Sequence, residues 1–338
     1  MKQDKKEFIK KKIEVNMTFM LEEIYSEPAI LADYRTRDLS FAGPILKILK
    51  KSSIVYAIGS GSSYNAAVYL SILLNRMEIN SIPIFASEVK SLQFGNRKGV
   101  ASVIFSQSGK SVDATESAKY LKSIGSRIIG VTNLDGSELS SISDISIHTR
   151  VGEEKSIPAT KSHLGQILTS LQISLNGESQ NLLDIFTKAE KGISLVLKDP
   201  TFVNDVAQPS KLKSVFLGSG LLYPVALESS LKFTETSSSL SIAYPTREFL
   251  HGPKQLLNKD WSVFMLSPNQ GVENDLRNHA GRVFDVVSFL KERYQISIDD
   301  EVSGSIILLV FSQLLSYFTS IGLGINPDRP SKLSKVVE

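Results

Sequence analysis

From residue 54 onward, short β-branched and apolar runs alternate with stretches of helical character, and no other feature constrains the fold of this chain as strongly. The runs are Ile54-Val55-Tyr56-Ala57-Ile58, Ile82-Pro83-Ile84, Val103-Ile104-Phe105, Ile128-Ile129-Gly130-Val131 and Ile145-Ser146-Ile147. Strands that are apolar throughout, separated by helices, are buried on both faces and predict a parallel sheet covered by helices on each side. The same grammar starts again later. Val55 to Gly61 corresponds to Ser214 to Gly220, and Ser102 to Gln107 recurs as Ser262 to Ser267. We therefore expect two similar α/β domains.

At 338 residues the chain can bury two cores. We expect N-terminal helices over 1–35, a first domain over 36–173, a linker near Leu175 to Gln208, and a second domain with its tail over 209–338. Six lysines (Lys2, Lys5, Lys6, Lys10, Lys11, Lys12) open the sequence, and no apolar segment of signal-peptide type follows them, so they read as a solvated helical leader, with contact to an anionic surface or partner as the alternative. The run Ile306 to Phe318 is broken by Ser312, Gln313 and Ser316 and reads as a buried helix, not a membrane span. A net charge of +3 is too small to call for a nucleic-acid partner. The absence of Cys excludes disulfides, thiolate metal sites and a Cys nucleophile, and fits a reducing, cytoplasmic compartment.

Two loops stand where strands give way to helices. Gly59-Ser60-Gly61-Ser62-Ser63-Tyr64 leads into a helix whose positive end would face its hydroxyls and amides. A dinucleotide fingerprint would place Gly where Tyr64 stands, although Glu88 could imitate a ribose-binding acid, and no Gly-Lys-Ser/Thr P-loop is present. Ser106-Gln107-Ser108-Gly109-Lys110-Ser111 follows the third strand. Either loop alone reads as turn-forming residues; two hydroxyl-rich loops at the carboxyl ends of one sheet favour a phosphate. Further on, Glu228, Lys232 and Glu235 share one helix face, a pattern suited to acid-base work and equally to an exposed ion-paired stripe. His251 precedes Gly252-Pro253 and could titrate near neutrality.

Taken with Phe19-Met20-Leu21-Glu22-Glu23-Ile24, Pro158-Ala159-Thr160-Lys161-Ser162 and the ending Asn326-Pro327-Asp328-Arg329-Pro330, these segments resemble the sugar isomerase (SIS) family over about Met17 to Glu338. The similarity is to the isomerase domain of glucosamine-6-phosphate synthase and to single-chain SIS-type glucosamine-6-phosphate deaminases. It implies two doubly wound, flavodoxin-like SIS domains. By the resemblance, Ser62, Ser63, Ser106, Gln107, Ser108 and Ser111 grip the sugar and its phosphate, Glu235 is the acid-base carboxylate and Lys232 supports it. His251, from a neighbouring subunit, would open the sugar ring, and Lys335 of the closing tail would form an imine with the ketose, with Leu333 and Val336 anchoring that tail. A homodimer with a shared site follows, with no cofactor and no metal.

Two positions depart from the synthases: Ala159 replaces a usual Ser, and Leu250 replaces the Lys before His-Gly-Pro. Gly218-Ser219-Gly220-Leu221-Leu222 lacks the hydroxyl series, so no phosphate is expected in the second domain. A glutaminase domain has no room here and its Cys is missing. The expected reaction is interconversion of glucosamine 6-phosphate with fructose 6-phosphate and ammonia. The alternatives are an isomerase-type synthase subunit, an amine-free ketose-aldose isomerase, a deglycase, or a sensor without catalysis.

Overall fold

The computed structural model describes residues 18–95, 98–175, 179–199, 202, 206 and 213–335; the lysine-rich opening and Val336 lie outside them. The described residues form two compact units. One comprises 30–153, 161–187 and the tail end at 334–335; the other comprises 18–29, 154–160 and 188–333.

In chain order, α1 (Phe19–Tyr25), α2 (Glu27–Thr36) and α3 (Ala42–Lys51) precede β1 (Val55–Gly59), α4 (Ser62–Arg76), β2 (Ser81–Phe85) and β3 (Ala101–Phe105). Then come α5 (Val112–Ser123), β4 (Arg127–Thr132), α6 (Glu138–Ile142), β5 (Ile145–His148), α7 (Lys161–Ser174) and α8 (Ser179–Lys198). The second half adds β6 (Lys213–Gly218), α9 (Leu222–Ser237), β7 (Leu240–Pro245), β8 (Trp261–Met265) and α10 (Gln270–Arg277). It closes with β9 (Arg282–Asp285), α11 (Val286–Tyr294) and α12 (Glu301–Gly322).

All five expected strands of the first unit form, in the order β2-β1-β3-β4-β5, every pair parallel. Every position of β1 and β3 is buried because helices cover both faces, and all but Ser102 are apolar or glycine. Between β1 and β3 the winding reverses, and in such sheets the crevice at the carboxyl ends of the strands opens at that point. Both serine loops leave these two strands. The second unit repeats the plan as β7-β6-β8-β9, also parallel. The repeat read from the sequence is thus a repeat of structure.

Its glycines show why. A Cβ on Gly59 would lie 2.3 Å from the Ser63 carbonyl carbon, and one on Gly218 would lie 2.1 Å from the Leu222 carbonyl oxygen, so each strand ends against the backbone of the helix that follows. Two residues on, Gly61 and Gly220 take φ of 54° and 57°, the left-handed region that glycine adopts without strain. Gly59→Ala and Gly218→Ala should each destabilise the protein by about 1–3 kcal/mol through backbone overpacking. Gly95, with nothing near its missing Cβ, is the control, and its Ala variant should shift stability by less than about 0.5 kcal/mol in urea unfolding.

Two stretches read from the sequence gain detail in the structure. The stretch read as a linker carries α8, a 20-residue helix, so it is structured over most of its length. The apolar run is the middle of α12, which spans 22 residues and is long and apolar enough to cross a bilayer by composition. It is instead mostly buried within its unit, as the sequence suggested, with Ser312, Gln313 and Ser316 among the buried side chains.

Candidate functional site

The residues singled out by sequence fall into two groups, one in each unit. In the first, Gly61 heads α4 and brings no side chain to cap it, leaving Ser62 and Ser63 in the first turn, half-buried. A Ser63 hydroxyl accepts a hydrogen bond from Gln166 Nε2 at 2.9 Å. Ser106 is buried; its Oγ accepts from the Gly109 amide at 3.1 Å, and Ser108 Oγ accepts from the Lys110 amide at 3.2 Å. These bonds curl the second loop into a tight turn. Gly109 has φ of 60°, and a Cβ there would sit 2.2 Å from Ser137 Oγ, so the turn packs directly on the residue that caps α6. The Gln107 carbonyl accepts from the Asn133 amide at 3.0 Å, and Ser111 stands at the head of α5 without spending its hydroxyl on the helix.

Asn133 was not anticipated from sequence. Its side chain accepts from Val151 N and from Thr149 Oγ1, and donates to the Gly152 carbonyl, which ties the end of β4 to the chain after β5. Gln166 was missed as well, lying 103 residues from its partner Ser63.

In the second unit Glu228, Lys232 and Glu235 share a face of α9, and that face is no solvent stripe. The side chains of Glu228 and Lys232 are each 1% exposed, while Glu235 retains 21%. Lys232 Nζ lies 3.4 Å from Glu228 Oε1 and donates a very short hydrogen bond to Glu235 Oε2. Burial pushes the Lys232 pKa down, but the carboxylates of Glu235, Glu228 and Glu154 outweigh it and leave the ammonium above the ordinary lysine value. Glu154 belongs to the Pro158-Ala159-Thr160 segment, where its Oε1 accepts from the Thr160 amide at 2.9 Å.

That segment is held by α1. Glu23, itself buried, accepts from the Lys155 and Ser156 amides and from the Ser156 hydroxyl, and burial raises its pKa. Asp328 completes the knot: its carboxylate caps the Phe19 and Met20 amides at 2.9 and 2.8 Å, and its carbonyl accepts from Ile157 N. The Asn-Pro-Asp ending is therefore fastened, although composition alone would make it a loose end. Farther along, Leu333 is 43% exposed and does not serve as the anchor expected of it. Lys335 sits half-buried in a bend at the end of the described chain and groups with the unit that carries the serine loops. His251 ends a single 3-10 turn after β7 and is exposed.

The second unit's counterpart of the serine loop is closed. Leu221, which stands where the first repeat has Ser62, donates its amide to Glu301 Oε1 at 2.7 Å, and Ser219 N donates to Ser267 Oγ at 2.9 Å. Since Leu221 gives α9 no side-chain cap, the carboxylate of Glu301 takes the place an anion would occupy at that helix end.

The SIS domain model matches residues 48–174 and 209–283, which coincide with the two sheets and their loops. The chain belongs to the SIS domain family. Among curated SIS proteins, a glutamine--fructose-6-phosphate aminotransferase [isomerizing] of Sulfolobus acidocaldarius is 31% identical over 94% of this chain. The alignment covers 56% of that relative, so the chain spans little more than half its length. Of solved SIS structures, the C-terminal domain of glucosamine-fructose-6-phosphate aminotransferase from Francisella tularensis superposes with a TM-score of 0.82 at 23% identity, covering 93% of this chain and 99% of that one. The glucosamine-6-phosphate deaminase of Thermotoga maritima gives 0.78 at 26% identity, covering 95% and 99%. The SIS fold expected from the sequence motifs is the fold observed.

Proposed function

We propose that this chain is a phosphosugar isomerase that converts glucosamine 6-phosphate to fructose 6-phosphate and ammonia. The observation that carries the proposal is the Glu228-Lys232-Glu235 face. Burying the Glu228-Lys232 pair with Glu235 partly buried beside it is a poor way to stabilise a helix, because desolvation offsets most of the attraction, whereas such clusters recur where protons are moved. The similarity to the Thermotoga deaminase over almost its whole length supports the direction of reaction.

In this reading the serine loops and the amino end of α4 hold the phosphate. His251 of a second copy protonates the ring oxygen as the sugar opens. Glu235, oriented by Lys232, takes the proton from C2 and returns it to C1, leaving an imine at C2. The Lys335 amine adds to that carbon and expels ammonia, and water then releases fructose 6-phosphate. Each step asks for a residue type that is present: a carboxylate for the C1/C2 transfer and a neutral amine for the imine.

The test is to incubate the purified chain with glucosamine 6-phosphate and follow ammonia and fructose 6-phosphate together. Equimolar release is expected; binding without either product would leave a sensor. The Sulfolobus relative keeps a second reading in view, an isomerase part that depends on a glutaminase. Formation of glucosamine 6-phosphate from fructose 6-phosphate only when a separate glutaminase and glutamine are supplied would favour it, and glutamate release from glutamine by this chain alone, which has no Cys, would contradict both readings. Borohydride reduction with fructose 6-phosphate should label Lys335, and a label on another lysine removes it from the scheme. Mixing His251→Ala with Glu235→Gln protein should restore part of the activity once subunits exchange; exchange without recovery rules out a shared site.

A further inference from the structure

We propose that Gln166 is a positioning residue that commits the Ser63 hydroxyl to donating towards an anion in the loop after β1. The inference rests on reading that loop as the phosphate holder. Gln166 lies on α7, 3% exposed, and its Nε2 reaches Ser63 Oγ at 2.9 Å. An amide NH₂ can only donate, so Ser63 accepts in this contact and its single proton is directed elsewhere. A phosphate oxygen can only accept. A hydroxyl that serves a phosphate must therefore be a donor, and a fixed donor on its other side enforces that sense.

The other half of the amide makes the same point. Gln166 Oε1 is buried with no hydrogen-bond partner among the described residues, an arrangement that is costly and calls for an explanation beyond packing. If filling space were all that was required, an apolar side chain at 166 would serve better. Ser63 stands in the first turn of α4, where the helix dipole already favours negative charge, so the direction of one O–H decides whether the turn attracts or repels an incoming oxygen.

The experiment is calorimetric titration of the full chain with fructose 6-phosphate, and with fructose to isolate the phosphate contribution. Ser63→Ala should weaken fructose 6-phosphate binding about tenfold, as expected for one hydrogen bond to a charged group. Gln166→Met should weaken it roughly fivefold with Ser63 present and less than about twofold in a Ser63→Ala background, since its effect passes through that hydroxyl. Gln166→Glu, which would accept the Ser63 proton and turn it away from the ligand, should lose at least as much as Ser63→Ala. Equal losses from Gln166→Met in both backgrounds would mean a structural role only and overturn the proposal. Unchanged affinity in Ser63→Ala would overturn the phosphate-loop reading and this inference with it. Should Gln166→Met fail to fold, Gln166→Glu decides alone, and wild-type affinity in that variant refutes the assignment.

Discussion

Glu235→Gln lowers turnover of glucosamine 6-phosphate by roughly 10²- to 10⁴-fold, the range expected when a group that transfers a proton in the transition state is removed. Affinity for fructose 6-phosphate stays within about tenfold, because the ground state makes no use of that transfer. The structure makes the substitution a clean probe. Gln has the same shape and can still accept from Lys232, so the α9 face keeps its packing while losing the base. Of the three charged residues on that face, Glu235 alone reaches solvent to any extent, at 21% of its side-chain surface. A variant with kcat within fivefold of wild type would reduce Glu235 to a partner in an ion pair.

Lys232→Met is expected to have the largest effect on stability, a loss of about 3–5 kcal/mol, because it leaves the carboxylates around it without their cation in a buried site. The ammonium is enclosed by Glu228, Glu235 and the charge of Glu154, and Met matches its volume but none of its charge. The dependence on pH has a definite sign. The folded pKa of Lys232 lies above the unfolded value of 10.5, so its contribution to stability is complete below that value and disappears as pH rises through the folded pKa. Urea unfolding of wild type and variant near pH 7 and in the alkaline range should show the gap between them closing at high pH. A loss below about 1 kcal/mol at neutral pH would mean that the cluster is solvated in practice.

The strands and the repeat were legible because they are local. A parallel strand buried on both faces shows itself in four or five consecutive letters, as in Ala101 to Phe105, and a glycine pressed against backbone, such as Gly59 or Gly218, follows directly from it. The Glu228-Lys232-Glu235 spacing was legible for the same reason, since i, i+4 and i+7 share a helix face. What i, i+4 spacing cannot reveal is depth. Whether that face meets water or the interior depends on α12 and on the 154–160 segment, which are far off in sequence. Gln166, Asn133 and Glu301 were missed because each acts on a partner that only the fold brings near. Leu333 was misjudged on hydrophobicity, which does not force a side chain inward when a neighbouring carboxylate, Asp328, already fastens the segment.

The Glu301 carboxylate at the head of α9 bears on how the two halves of a duplicated fold can share an ancestral plan yet answer differently to solutes. A group tethered by the fold competes at an effective concentration of millimolar or more, and it is never diluted away. Free phosphate would have to displace a resident whose release also uncaps α9 and frees the first turn of α12. The second cradle thus carries its own permanent occupant, and its occupancy is set by the sequence and is independent of metabolite supply. The first cradle has a glycine cap and serine hydroxyls in the same register, with no such tethered carboxylate among the described residues, and in the proposed reading it is the one open to a phosphate from solution.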